Sequence, residues 1–350
     1  MALEFVRNIH YFPVAIYNDN IVEVKTDSTA TGEYAVIGIR VKIRVDGEIV
    51  METFAPIFFK TAVFNMNKIY PSLYGKFNSP IQRTSSTGAK LINSNDSTLV
   101  FDELYEEVLA NGETGDTDAW TRYTVKSTDS LKGVLWDDDK GTFLSYNFKP
   151  RYALKDSIIT FSCINDFGKT SELRYTTDLV TDQPLINIPN YRYISTINLN
   201  ASEFSGAKYI KLHSPDLYNS ITYFFDKNNY SRTKTLYWLN QYGGWEQMDF
   251  VDYEKTTSTN KKNYDLYSGR GGLVKTKTIS SNSEEEYKLY VRQLNDEYLE
   301  VLNSLITSST VIDETGEEVI INDNNFTNDY NFEQSYISMK YAVKNKVIKY

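Results

Sequence analysis

Residues 14 to 63 alternate apolar and polar side chains in the way a half-buried strand must, because successive side chains of a strand point to opposite faces. VAIYNDNIVEVKT is followed by EYAVIGIRVKIRV, a turn at Asp46-Gly47, and EIVMETFAPIF. Asp-Gly between alternating segments is a strong hairpin signal, since both central residues of a type I′ turn need positive φ. KTAVFNMNKIYPSLYGKF closes this unit with a short strand or helix ended by Pro71, and the spacing predicts a β-sandwich over 1–78.

The rest of the chain repeats the theme. SPIQRTSSTGAKLINSNDSTL is rich in Ser, Thr and Asn and lacks periodicity, which marks 79–100 as a linker or long loop. Strand patterns return in AWTRYTVKST, GVLWDDDKGTFLSYNF, SIITFSCIN and ELRYTTDLV, a second β domain over 101–187 with its turn at DDDKG. YRYISTINL, KYIKLHS, SITYFFD and TLYWLNQYGGWEQMDF open a third unit, 188–350. After the polar tract EKTTSTNKKNYDLYSGRGG comes an expected helix over 284–308, with Tyr287, Tyr290, Val291, Leu294, Tyr298, Val301, Leu302 and Leu305 at intervals of three and four. Ser283 and Glu286 have capping-box spacing, and Asn295-Asp296 is a possible break. A hairpin around Thr315-Gly316 and a final strand, YISMKYAVKNKVIKY, complete the chain. The expected fold class is therefore mainly β: tandem β-sandwich, Ig-like domains with one long helix near the C-terminus.

Composition narrows the functions. A net charge of -9 argues against a nucleic-acid backbone as the main partner, which clustered Lys and Arg would bind. The lone Cys163 leaves no internal disulfide, and His10 and His213 are too few for a His-based zinc site or a Ser-His-Asp triad. No apolar run approaches a membrane span, and the first residues lack the apolar core of a signal peptide, so the expectation is folding in a reducing cytoplasm. Asp137-Asp138-Asp139 and the stretch INDNNFTNDY carry oxygen ligands that suit Ca²⁺ or Mg²⁺, but without EF-hand spacing; both read as solvated turns. Gly269-Arg270-Gly271-Gly272 lacks the spacing of a phosphate cradle. No catalytic residue, metal site or cofactor is assigned.

The segment LYWLNQYGGWEQMDF, 236–250, holds the best candidate site. With Gly243-Gly244 as a two-residue turn, Tyr242 pairs with Trp245, Leu239 with Met248, Trp238 with Asp249 and Tyr237 with Phe250. Tyr237, Leu239, Met248 and Phe250 then form a core face. Trp238, Tyr242 and Trp245 share the other face with Asn240, Gln247 and Asp249, a mixture that suits coverage by a neighbouring loop or the helix, a protein interface, or a glycan platform.

The hairpin WLNQYGGWEQMDF is similar to a W-L/N-N-x-x-G-G-W-E/D-x-x-x-F element of predicted virion structural proteins from tailed bacteriophages infecting Bacteroidota, including the crAss-like phages. IVEVKTDSTATGEYAVIGIRVKIRVDGEIVMETFAPIFFKTAVFNMNKIY resembles the first β-domain of that group, and YLEVLNSLITSSTVIDETGEEVIINDNNF with YISMKYAVKNKVIKY resembles its helix, following strand and closing strand. Ser308-Ser309 stands where the group often has proline after the helix, and 79–180 match nothing in it. The resemblance implies a non-enzymatic, ring-forming component of the head-to-tail connector, neck or tail, assembled in the host cytoplasm. It would contact copies of itself and other tail, neck or portal proteins, with the polar segments 79–99 and 253–274 ordered between subunits. The alternatives are a host-glycan-binding module using Trp238, Tyr242 and Trp245, and a tail-associated polysaccharide hydrolase.

Overall fold

The computed structural model describes residues 3–9, 14–77, 89–92, 98–125, 140–145, 149–164, 170–188, 194–204, 206–267, 274–291, 296–308, 310–321, 327–329 and 334–341. The chain is mainly β, arranged around three apolar cores.

The first body contains β1 (Glu4–Arg7), β2 (Val14–Ala15), β3 (Ile21–Lys25), β4 (Val36–Val45), β5 (Glu48–Pro56), β6 (Thr61–Asn65) and α1 (Tyr70–Phe77). The chain then leaves as β7 (Ala89–Ile92) and returns as β8 (Thr98–Leu109) and β9 (Thr114–Val125). A β1-β3-β6 sheet faces a β2-β9-β8-β4-β5 sheet. Alternation decides which side chains meet: Val22, Val24, Ala62 and Phe64 from one sheet pack on Ile39, Val41, Ile43, Phe101 and Tyr105 from the other. The Asp46-Gly47 turn forms as expected, at φ 51 and 85. Pro71 does not end an element. It lies in the first turn of α1, where its missing N–H is harmless, and Tyr70, Leu73 and Tyr74 face the core.

The β5-β6 turn has no glycine or asparagine. Phe58 and Thr61 exchange backbone hydrogen bonds of 2.8 and 2.9 Å, and Phe59 and Lys60 take φ of 49 and 67, a strained conformation for bulky side chains. Phe59 is fully exposed, so little packing is lost on its replacement. Phe59→Asn with Lys60→Gly, the pair this turn favours, is expected to stabilise the protein by about 1–2 kcal/mol. Urea unfolding checks this, and an unchanged midpoint would contradict it.

The second body is built from β10 (Thr142–Phe143), β11 (Arg151–Leu154), β12 (Ile158–Ile164), β13 (Ser171–Thr177), β14 (Gln183–Ile188), β15 (Ile194–Asn200), β16 (Tyr209–His213) and β17 (Ile221–Asp226). Sheets β10-β12-β15-β7 and β11-β17-β16-β13-β14 enclose Phe143, Phe161, Cys163, Leu173, Ile197, Leu212 and Tyr223. Burial pushes the Cys163 thiol up to about 12.

The third body comprises β18 (Lys234–Leu239), β19 (Trp245–Phe250), β20 (Asp252–Tyr267), β21 (Val274–Val291), α2 (Asp296–Thr307), β22 (Val311–Asp313), β23 (Val319–Ile321), β24 (Thr327–Asp329) and β25 (Gln334–Tyr341). A β19-β18-β22 sheet packs on the β20-β21-β25-β23 sheet, with Val301, Leu302 and Leu305 of α2 sealing the core.

Several expectations change. The sheets put the first boundary near 125 and the second near 226, in place of 78 and 187: β8 and β9 complete the first sandwich, and β15 to β17 complete the second. Within the expected linker, Ala89–Ile92 is a strand paired with β15. The expected long helix is a strand followed by a 12-residue helix. Tyr287 and Leu289 are buried while Lys288 is exposed, so a period of two governs there, and α2 starts beside the suspected break at Asp296. α2 ends at Thr307, and Ser308 Oγ lies 2.8 Å from the Leu239 carbonyl and 2.9 Å from that of Thr310, steering the chain into β22 without proline. Asp137–Asp139, Gly269–Gly272, His10 and Asn322–Asn325 lie outside the described residues.

Candidate functional site: the aromatic hairpin

The 236–250 hairpin closes with a different register from the expected one. Leu239 pairs with Trp245, Trp238 with Glu246, Tyr237 with Gln247, Leu236 with Met248, and Thr235 with Asp249. The loop is therefore Asn240 to Gly244, not a Gly-Gly turn. Asn240 organises it: its Oδ1 accepts from the Tyr242 and Gly244 amides at 3.0 Å each, and its backbone N–H donates to the Gly244 carbonyl at 2.8 Å. An asparagine that supplies its own backbone partners makes a wider loop favourable. Gly243, at φ 78, takes the left-handed position.

The new register redistributes the faces. Leu236, Trp238, Met248 and Phe250 point into the third core, and Trp238 Nε1 donates to Ser304 Oγ of α2 at 3.2 Å. Tyr237, Leu239 and Trp245 pack with Ile312, and Tyr242 joins Val125, Leu144, Ile164 and Ile194. Trp238 is 0%, Trp245 4% and Tyr242 7% exposed. The three residues expected to share an outward face are thus divided among three clusters, and their own chain covers them. Trp238 takes the core face in place of the expected outer one because a loop longer by three residues, an odd number, exchanges the two faces of β18 relative to those of β19.

What the hairpin meets is the second body. Trp245 N–H donates to Ser162 Oγ at 2.9 Å, Asn240 Nδ2 to the Leu144 carbonyl at 2.9 Å, and Tyr237 Oη to the Ile158 carbonyl at 3.0 Å. In return the Thr160 amide donates to Gln247 Oε1 at 3.0 Å and the Leu154 amide to Asp249 Oδ2 at 2.8 Å. At the centre, Arg151 forms a buried ion pair with Glu246 at 2.8 Å, and both reach Ser145 Oγ at 2.8 Å. Buried charges persist in such a place only when paired and hydrogen-bonded. The hairpin is a clasp between two sandwiches. Arg151 and Glu246 were not singled out in the sequence, where neither lies near the other and nothing marks the pair.

Desolvation at this junction raises the Asp249 carboxyl above the ordinary 3.8, against the opposing hydrogen bonds from Thr235 and Leu154. Because the folded chain holds this proton more tightly than the unfolded chain, the contribution of Asp249 to stability falls as pH rises from 3.8 through the raised value. Asp249→Asn removes that slope. Urea titrations at successive pH values are expected to show the variant gaining on the parent across this window, and parallel profiles would exclude the assignment.

Among the described residues no group of three or more His, Cys, Asp and Glu side chains could hold a metal, and no helix is long and apolar enough to cross a membrane. His213 lies 3.2 Å from Thr176 Oγ1 and 3.8 Å from Asp182 on a strand of the second body. Asn328 and Asp329 lie in β24, paired with Ser335 and Gln334.

No family model matches the chain, and no curated protein does. Solved structures with partial similarity are tandem β-domain proteins. The I9-I11 tandem from titin shares 10% identity over 64% of this chain, at a TM-score of 0.17, and the chain covers 65% of that tandem, just under two thirds. Extracellular domains 3-5 of Drosophila OTK share 9% over 83% of this chain and 93% of theirs, at 0.26. The fibronectin(III)-like modules of Clostridium thermocellum CbhA share 10% over 66% of this chain and 98% of theirs, at 0.18. Scores this low carry no argument about function or superposition, and the architecture rests on the sheets described above.

Proposed function

We propose that the chain is a non-enzymatic virion structural protein of a tailed bacteriophage, a ring-forming component of the head-to-tail connector, neck or tail. The observation that supports this reading most is the clasp. A segment whose sequence resembles a phage structural element joins two sandwiches through a buried ion pair and six cross-body hydrogen bonds of 2.8 to 3.0 Å. Bodies joined in this way resist bending at their junction, which suits a subunit that must hold its shape within a loaded particle. The partners in this reading are copies of the same chain and adjoining tail, neck or portal proteins, in the virion after assembly in a bacterial cytoplasm. The glycan-binding alternative loses its basis, since Trp238, Tyr242 and Trp245 are all enclosed. Electron microscopy of the purified protein tests the proposal: discrete closed rings are expected, and a particle population of isolated subunits at every concentration overturns it.

A further inference from the structure

The β20-β21 pair runs far beyond the sandwich that carries it. Its ladder continues from Asp252↔Tyr290 to Tyr267↔Val274, but β25 accompanies β21 only from Glu286 to Val291. From Ser258↔Glu284 outward the two strands pair with nothing but each other among the described residues. Ten further rungs at about 3.3 Å each make an arm about 30 Å long. An isolated two-stranded ribbon is marginal in water, so an arm of this length calls for a partner that supplies a third strand or a covering face.

Charge indicates the partner. The paired arm segments carry Lys261, Lys262, Lys275 and Lys277 against Asp265 and, at the base of the arm, Glu284, whereas the chain as a whole has a net charge of -9. A basic arm on an acidic protein is complementary to a second copy of the same protein. The receiving strand is also recognisable. Outside the arm, β5 is the longest strand at a sheet edge among the described residues, with nine residues and β4 as its ladder partner on one side. Its rim is acidic and partly apolar: Asp46, Glu48 and Glu52 are exposed, Glu52 with one oxygen 3.2 Å from Arg40 Nε of β4, and Ile49 and Phe54 are 51% and 48% exposed. Long edges with exposed apolar side chains are templates for strand addition.

We propose that the β20-β21 arm of one copy adds to the β5 edge of the next, with the arm's lysines against the Asp46, Glu48 and Glu52 rim. The contact joins the third body of one chain to the first body of another. It is heterologous, so each copy gives one arm and receives one, and repetition closes a ring or extends a filament. The inference deepens the ring reading above and rests on it.

The test uses the full chain and three variants followed by sedimentation. In the first, residues 258–284 are replaced by Asn-Gly, which retains the rungs from Asp252↔Tyr290 to Thr257↔Glu285 and the whole of β21-β25. In the second, Lys261, Lys262, Lys275 and Lys277 are changed to Glu; in the third, Glu48 and Glu52 are changed to Lys. The full chain is expected to associate more weakly as salt rises, and each variant alone to associate at least tenfold more weakly with an unchanged unfolding midpoint. Mixing the second and third variants should restore association, because the reversed arm then meets the reversed rim. The inference is overturned if the arm-shortened chain assembles as the parent does, in which case the ring reading stands. It is also overturned if the mixture fails to recover, or if association vanishes on nuclease treatment. A parent chain that stays monomeric throughout overturns the inference and the ring reading together.

Discussion

Gly244→Ala is expected to destabilise the protein by about 3 kcal/mol, the sum of overpacking and of hydrogen bonds lost at a buried junction. A Cβ at this position would stand 2.3 Å from the Leu144 carbonyl oxygen and 2.5 Å from the Leu144 Cβ. The nearest obstacle is backbone from the second body, so no rotamer change relieves it. Either the loop withdraws, breaking the Asn240 to Leu144 and Trp245 to Ser162 hydrogen bonds, or the two sandwiches part. Chemical denaturation should show the loss, and tryptophan emission should shift to the red as the surroundings of Trp245 hydrate. Gly47→Ala is the control. That site has open space around its Cβ and φ 85, so it carries only left-handed strain of about 1–2 kcal/mol and no change in emission. Equal effects at the two glycines would mean that the junction is not close-packed.

The second large effect lies in the first body. Glu103 is fully buried, and it accepts from Arg122 Nε at 2.7 Å, Tyr70 Oη at 2.6 Å and Tyr105 Oη at 2.9 Å. Arg122 also donates to Asn8 Oδ1 at 2.6 Å and to the Ile9 carbonyl at 3.1 Å. Arg122→Ala strands the carboxylate and is expected to cost about 3–5 kcal/mol, whereas Arg122→Leu with Glu103→Leu should recover much of the loss because both charges leave together. Thermal and urea unfolding of the single and double variants decide it; a single variant no worse than Arg7→Ala on the surface would refute the assignment. The same network sets an alkaline limit. Burial, reinforced by Glu103, holds the Tyr70 and Tyr105 phenols well above their ordinary 10. The unfolded chain releases these protons first, so stability falls as pH rises beyond 10.

How much of this could be read from the chain depended on the range of the determining interaction. Asp46-Gly47 and the alternation around it are local, and they located β4 and β5 correctly. Thr315-Gly316 did the same near the C-terminus, where Gly316 takes φ 84 and donates to the Asp313 carbonyl. The segment from Ser283 to Leu305 satisfied two periods at once. Its apolar residues fit a helical stripe, yet Tyr287 and Leu289 also fit a strand, and pairing with β20 and β25 selected the strand. The hairpin was recognised, but its loop was misjudged, since a Gly-Gly pair suggests the tightest turn while Asn240 holds a wider one. Domain boundaries were the least visible feature, because β8 attaches to β4, and β9 to β8, by ladder bonds across a segment that composition marks as a linker.

The excursion of β7 affects the order in which the protein can be made. Ile92 has its ladder partner in Thr196, and Ala89 in Leu199, so this strand emerges from the ribosome long before the strand it must join. At ~5–20 residues per second the wait is on the order of ten seconds. The first body, meanwhile, has every strand of its own once Val125 is out. Synthesis therefore passes through a stage in which a finished sandwich trails one unclaimed strand, which β15 alone can claim, and the second sandwich is complete only after β16 and β17 have followed.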